Sequence, residues 1–269
     1  MRPVTFVKWG GSLITDKAGR FSVRTNVLAR LARELARYRA AVPEAPLVLG
    51  HGSGSFGHVA AREAGITGSA PPPDAAQALS RVQAAATRLH QHVVQALRDA
   101  GLPVFSFAPS SAALSTDGTP NSPDAAPVHQ ALALGALPVT YGDVFLDTDG
   151  TPRICSTEAV FQALIGALRD GGTATARVLW CGGTDGVYDA DGATLPMLSP
   201  NEARSLANDV HAPHGTDVTG GMALRLRTAS TLATQGIDSL LVNGAVAGRL
   251  TAALQGTADA HRTHIVAAS

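Results

Sequence analysis

Four short stretches of this chain combine glycine with residues that can hold an anion. The first is Lys8-Trp9-Gly10-Gly11-Ser12, after the run Val4-Thr5-Phe6-Val7. The second is Gly50-His51-Gly52-Ser53-Gly54-Ser55-Phe56-Gly57-His58, after Leu47-Val48-Leu49. Glycine lets a backbone come close to an anion and adopt dihedrals that aim several N–H groups at one point. Two such turns, carrying a lysine and a histidine, imply one site holding two phosphates face to face, as phosphoryl transfer requires. The Lys8 turn is not a P-loop, because G-x-x-x-x-G-K-[ST] occurs nowhere in the chain.

Taken alone, a lysine is usually a solvated surface residue, and a helix-end histidine usually faces water. The adjoining glycines give Lys8 and His58 their functional reading. A short helix is expected from His58, placing that imidazole in its first turn, where unpaired N–H groups and the helix dipole favour a phosphate. His51 is either functional or a strand-end residue pointing into the core. The third stretch, Gly183-Thr184-Asp185-Gly186-Val187-Tyr188-Asp189, is a turn suited to the base and ribose of a nucleotide. The fourth, Asp217-Val218-Thr219-Gly220-Gly221-Met222, opens a helix with Arg225 and Arg227 one turn in.

These turns need a scaffold, and the apolar pattern supplies one. Strands are expected at Val4–Val7, Leu47–Leu49, Val104–Phe107, Pro138–Tyr141, Arg177–Cys181, Ser239–Val242 and His264–Ala267. Helical spacing links Val27, Leu28, Leu31, Leu35 and Tyr38, and a second helix spans Asp74 to Ala100. A third runs from about Ser156 to Leu168, and a fourth from the Thr219-Gly220-Gly221 turn to near Gly236. Such alternation predicts an α/β fold with a mostly parallel sheet covered on both faces, and ligands bind at the carboxyl ends of such strands. A hairpin joins Val144–Leu146 to Arg153–Cys155 through Asp149-Gly150. The loop from Gly65 to Asp74, with Pro71 to Pro73, is either a stiff lid or a surface connector. A soft boundary falls near Leu168 to Thr175.

Composition narrows the class. The 269 residues, 45% hydrophobic, can bury a sizeable core. Lys+Arg and Asp+Glu both number 21, which argues against a nucleic-acid partner. Cys155 and Cys181 form no C-x-x-C pattern, so no zinc or other metal site is expected and a reducing compartment fits. No apolar run approaches a membrane span, and the N-terminus does not read as a signal peptide. A cytoplasmic protein without a membrane partner is the expectation.

The same residues resemble isopentenyl phosphate kinases of the amino acid kinase superfamily. Lys8-x-Gly-Gly-Ser, His51-Gly-x-Gly-Ser-Phe-Gly-His, Thr184-Asp185-Gly-Val-Tyr and Asp217-Val-Thr-Gly-Gly-Met carry the resemblance. Pro109-Ser110-Ser111, Gly142-Asp143-Val144 and Val242-Asn243-Gly244 follow in the expected order. It extends from Val4 to about Gly256. It implies a single three-layer α/β/α domain, with residues 1–170 around the acceptor phosphate and 171–269 around the nucleotide. It further implies ATP-dependent conversion of isopentenyl phosphate to isopentenyl diphosphate, with Mg²⁺, in a homodimer.

Carried over by position, Lys8, Gly10, Gly11, Ser12, Gly54, Asp185, Gly221 and Arg225 would face ATP. Ser53, Gly54, His58 and Thr157 would hold the small-molecule phosphate. Lys17 would stabilise the transition state beside Lys8 and His58. Three positions depart from the family pattern. Arg225 stands where a lysine is usual, Ser156-Thr157-Glu158 where Ser-Gly-Asp is frequent, and Ser53 where glycine is common. A phosphonate-antibiotic kinase such as fosfomycin kinase, and a nucleotide-binding sensor without catalysis, remain open at this level. The apolar Ala84, Ala85, Ala86 and Leu89 of the second helix either line the acceptor pocket or pack the core.

Overall fold

The computed structural model describes residues 2–16, 19–66, 71–208, 220–257 and 261–267. Twelve strands occur among them. They are β1 (Val4–Trp9), β2 (Leu47–His51), β3 (Val104–Ser106), β4 (Ser115–Thr116), β5 (Thr119–Pro120) and β6 (Leu137–Tyr141). Then come β7 (Asp143–Leu146), β8 (Pro152–Cys155), β9 (Thr175–Gly182), β10 (Met197–Leu198), β11 (Asp238–Asn243) and β12 (Arg262–Ile265). The α-helices are α1 (Gly11–Ile14), α2 (Thr25–Ala41), α3 (Gly54–Glu63), α4 (Ala75–Asp99) and α5 (Ala126–Ala133). After them come α6 (Thr157–Asp170), α7 (Pro200–Asn208), α8 (Gly220–Ala233) and α9 (Arg249–Gln255).

Eight strands form one sheet in the order β10-β12-β11-β9-β1-β2-β6-β3. All its pairings are parallel except β11 with β12. The expected last strand is therefore real, but it lies two residues earlier and runs antiparallel to β11. β7 and β8 form the expected hairpin, with Gly150 at φ +82° in its turn.

Side chains alternate across β1. Val4 and Phe6 point into a core with Phe161 of α6, Trp180, and Leu226 of α8. Val7 and Trp9 point into the opposite core with Leu28, Leu31 and Leu35 of α2, Leu89 of α4 and Leu250 of α9. Helices thus cover both faces, as a parallel sheet with two apolar faces demands. The alternation also assigns Lys8 to the face of Phe6, beneath α6 and α8. Helix α4 has Asp74 as its N-cap, accepting from Gln77 N at 3.1 Å. Leu89 packs in the central core, Ala85 faces α3, and Ala84 points outward, so the three alanines do not share one pocket wall.

Candidate active site

The two glycine turns meet. β1 and β2 are parallel neighbours with Trp9 opposite His51, so their carboxyl ends deliver both turns to one place. A Cβ on Gly11 would lie 2.3 Å from Gly54 N and 2.6 Å from Gly54 Cα. No side chain fits between two backbones at that distance. Gly54 has φ +50°, a left-handed conformation that favours glycine. Thr15 stitches the turns together: its Oγ1 donates to Gly11 O at 2.8 Å and accepts from Ser55 N at 3.1 Å.

The second turn starts a helix earlier than the sequence suggests. Helix α3 begins at Gly54, so His58 is its fifth residue and lies beyond the first turn. Gly57 packs closely over the N-cap, where a Cβ would fall 2.1 Å from Ser53 Oγ. His58 is exposed, Ser53 and Gly54 are half-buried, and Ser12 on α1 is exposed.

Behind the turns sits a buried charged cluster. Lys8 is 6% exposed and Glu158 4%. Lys8 Nζ donates to Glu158 Oε1. Arg225 Nε lies 3.9 Å from the same oxygen. Among the described residues that buried Nε has no hydrogen-bond partner. Local geometry explains the convergence. Ser156 N-caps α6, accepting from Ala159 N at 3.1 Å, which puts Glu158 in the first turn. Phe161 of α6 packs edge-on against Phe6 of β1 at 4.9 Å, and Glu158, one turn earlier, thereby reaches Lys8. The Arg225 guanidinium arches over the end of β9, 3.1 Å from where a Cβ on Gly182 would sit.

Burial pushes the Lys8 pKa below its ordinary value, Glu158 opposes that, and Arg225 adds to it. Burial raises Glu158, but Lys8 and Arg225 more than offset it and leave Glu158 lowered. Among the described residues two cations share one carboxylate, an excess of positive charge in a desolvated place. A buried excess charge with an unpaired N–H is stable only opposite an anion. The glycine turns open onto it, so the arrangement fits a polyphosphate.

His51 proves to be structural. It is fully buried, and its Nε2 is 3.0 Å from His90 Nδ1, whose Nε2 is 2.6 Å from Ser106 Oγ. Gly52 O, 3.3 Å from His51 Nδ1, can only accept. That fixes a one-way chain in which Ser106 donates to His90, His90 to His51, and His51 to the second glycine turn. Thr157, 2% exposed, donates its hydroxyl to His51 O at 2.7 Å and ties α6 to the end of β2.

Asp185 lies past the end of β9. It accepts from Asn243 Nδ2 at 2.9 Å and pairs with Arg249, and His261 Nδ1 is 3.7 Å away. Burial raises its pKa, and the hydrogen bonds from Asn243 and Arg249 more than offset that and hold it lowered. Gly221 is exposed in the first turn of α8, whose body supplies Arg225. Lys17 and the Asp217-Val218-Thr219 stretch lie outside the described residues. The structure thus brings Lys8, Glu158, Arg225, Gly10, Gly11 and Gly54 together, with Ser53 and His58 on the helix that starts there.

The amino acid kinase family profile matches residues 3–243. An isopentenyl phosphate kinase of Methanothermobacter thermautotrophicus is 32% identical over 262 residues, 93% of this chain and 94% of its own. The chain belongs to the amino acid kinase family, among its isopentenyl phosphate kinases. The Methanocaldococcus jannaschii isopentenyl phosphate kinase is 27% identical over 83% of this chain and 85% of its own. A crystal structure of an isopentenyl phosphate kinase superposes with a TM-score of 0.79 at 27% identity, covering 97% of this chain and all of that one. The N-acetylglutamate synthase of Neisseria gonorrhoeae shares the fold, with a TM-score of 0.73 at 18% identity over 99% of this chain and 60% of its own.

Residue type alone does not single out Thr15, Arg249 and His90, and Asn243 is marked only as part of the Val242-Asn243-Gly244 stretch. Thr15 and Arg249 look like any threonine or arginine in sequence. Their roles come from contacts with Gly11, Ser55 and Asp185, which are remote in the chain or formed by the backbone.

Proposed function

We propose that this protein transfers the γ-phosphoryl group of ATP to isopentenyl phosphate, giving ADP and isopentenyl diphosphate. The observation that carries this is the Lys8–Glu158–Arg225 cluster lying behind two touching glycine turns, in a chain whose relatives are isopentenyl phosphate kinases. An oxygen of the acceptor phosphate attacks the γ-phosphorus, and the bond to the β-γ bridging oxygen breaks, leaving ADP. The acceptor is already anionic near neutral pH, so no strong base is needed. Positioning and charge neutralisation do most of the work in such transfers.

In this reading Gly10, Gly11, Ser12, Gly54, Asp185, Gly221 and Arg225 face the nucleotide. Ser53, Gly54 and His58 hold the acceptor phosphate, Thr157 supports that side by tying α6 to the end of β2 through its buried hydroxyl rather than by touching the phosphate, and Lys8 and Lys17 flank the transferring group. Residues 1–170 form the acceptor side and 171–269 the nucleotide side. Among the described residues no three His, Cys, Asp or Glu side chains gather as a metal cluster, and Glu158 is engaged by Lys8. Mg²⁺ brought with the nucleotide would contribute charge neutralisation. The resemblance also supports a homodimer, which sedimentation tests, and a cytoplasmic setting. Among the described residues no helix is long and apolar enough to cross a membrane.

The test is an acceptor panel with MgATP: isopentenyl, dimethylallyl and geranyl phosphates beside fosfomycin. Turnover is expected with isopentenyl phosphate, and folded protein without it would overturn the reading. His58→Ala is expected to raise the acceptor KM far more than the ATP KM. Equal loss of both would remove His58 from the acceptor side.

A further inference from the structure

Glu34 is a carboxylate where helix α2 should be apolar. It lies among Leu28, Leu31, Leu35 and Tyr38 on the buried stripe and is 3% exposed. A carboxylate taken out of water survives only with charge and hydrogen-bond partners. Arg30, one turn earlier, donates to it at 2.8 Å. The remaining partners come from about 214 residues away: Gly248 N at 3.1 Å, Thr251 N at 3.4 Å and Thr251 Oγ1 at 3.5 Å. Gly248 is the N-cap of α9, with φ +85° and no side chain of its own to cap the helix. Glu34 supplies that cap from another helix, and its negative charge suits a helix start. The other arm of Arg30 donates to Gly244 O and Ala245 O.

One turn of α2 therefore grips both ends of the 244–251 segment. That segment holds Asp185. Asn243 immediately precedes it and donates to Asp185 Oδ1, while its own Oδ1 accepts from Ala245 N at 3.0 Å. Arg249 lies within it and pairs with Asp185. Among the described residues the segment is otherwise tied by Gly244 N, which donates to Gly182 O at 2.9 Å, and by Leu250 in the core, so the charged clamp completes the set of contacts from which Arg249 and Asn243 hold Asp185.

We propose that Arg30 and Glu34 are positioning residues for nucleotide binding, acting through the 244–251 segment on Asp185. This rests on the reading of Asp185 as a nucleotide-facing residue. The charged and titratable groups around the clamp are Arg30, Glu34, Asp185, Arg249 and His261, with the buried thiol of Cys181 nearby.

The experiment compares wild type, Glu34→Gln, Arg30→Lys, Asp185→Asn and the Glu34→Gln/Asp185→Asn double variant. ATP affinity is read by calorimetry, and KM for each substrate and kcat by turnover. Circular dichroism checks folding. Glu34→Gln is expected to weaken ATP about 10-fold, with kcat and the acceptor KM within about 2-fold, as for other groups that orient a binding side chain. The double variant is expected to be no worse than Asp185→Asn alone, because contacts in one chain of action are not additive.

Unchanged ATP affinity, equal damage to both substrates, or multiplying effects would overturn the proposal. Should Glu34→Gln not fold, Arg30→Lys carries the same readouts, since lysine keeps the charge but loses the two-armed grip. If neither folds, the clamp is a folding element and the proposal falls. Wild-type turnover is measured first, and ATP affinity remains readable whichever acceptor is used, so failure of the acceptor assignment stays distinct.

Discussion

Lys8 illustrates how one residue's chemistry is set by its surroundings. Only two of the 21 Lys and Arg residues are lysines, Lys8 and Lys17. A chain that otherwise uses arginine places a compact ammonium in a confined spot, where the planar guanidinium fork does not fit the same role. Because burial lowers the Lys8 pKa, its proton is lost at lower pH than an ordinary lysine's. Activity that needs the ammonium is therefore full on the acid side and falls as pH rises, before the usual lysine range near 10.5. Lys8→Met is expected to keep the fold and cut kcat about 10²- to 10³-fold, as losing a preorganised charge-stabilising donor does. A pH–rate profile and single-turnover kinetics check both statements. An unchanged kcat would remove Lys8 from the transferring group.

At the scale of elements, the site is a meeting of backbones. The approach of Gly11 to Gly54 leaves no room for a methyl group, and both neighbours are main chain that cannot swing away. Gly11→Ala is expected to destabilise by roughly 1–3 kcal/mol, the usual cost of forcing atoms into a packed place, and to abolish most turnover by parting the turns. Gly166→Ala is the matched control. Gly166 lies within α6 and a Cβ there meets nothing within 4 Å. It is expected to stabilise by about 0.5–1 kcal/mol through helix propensity, with activity intact. Thermal melts and turnover for the pair separate a steric effect at the turns from a general intolerance of alanine.

For the whole molecule, the buried imidazoles of His51 and His90 connect β2, α4 and β3. Burial lowers His51 from 6.5 to about 3, with the neighbouring His90 adding to the shift, and burial lowers His90 to about 4. Between those values and 6.5 the unfolded chain binds more protons than the folded one. Stability is thus complete above about pH 6.5 and declines as pH falls toward 4, by an amount of order a few kcal/mol. Denaturant melts from pH 7.5 to 4 are expected to show the decline, and His90→Gln is expected to flatten it. A slope unchanged in that variant would assign the acid sensitivity elsewhere.

The sequence by itself determined the α/β alternation, seven strands of the central sheet to within a few residues, and both glycine turns. Period-2 and helical spacing are local properties, and glycine's steric freedom is intrinsic to the residue. It also placed Lys8, Glu158 and Arg225 on their elements through motif resemblance. Short elements such as α1, α5, α7, α9 and β10 were not legible, because a few residues carry too little periodicity. The α3 start, the structural role of His51 and the inward-facing Glu34 were decided only by tertiary structure. Each depends on which remote atoms come within hydrogen-bond reach: Gly57 against Ser53, His90 beside His51, and the α9 start above α2. A buried polar residue declares its purpose only when its partner arrives, and that partner is set by how the sheet stacks its helices.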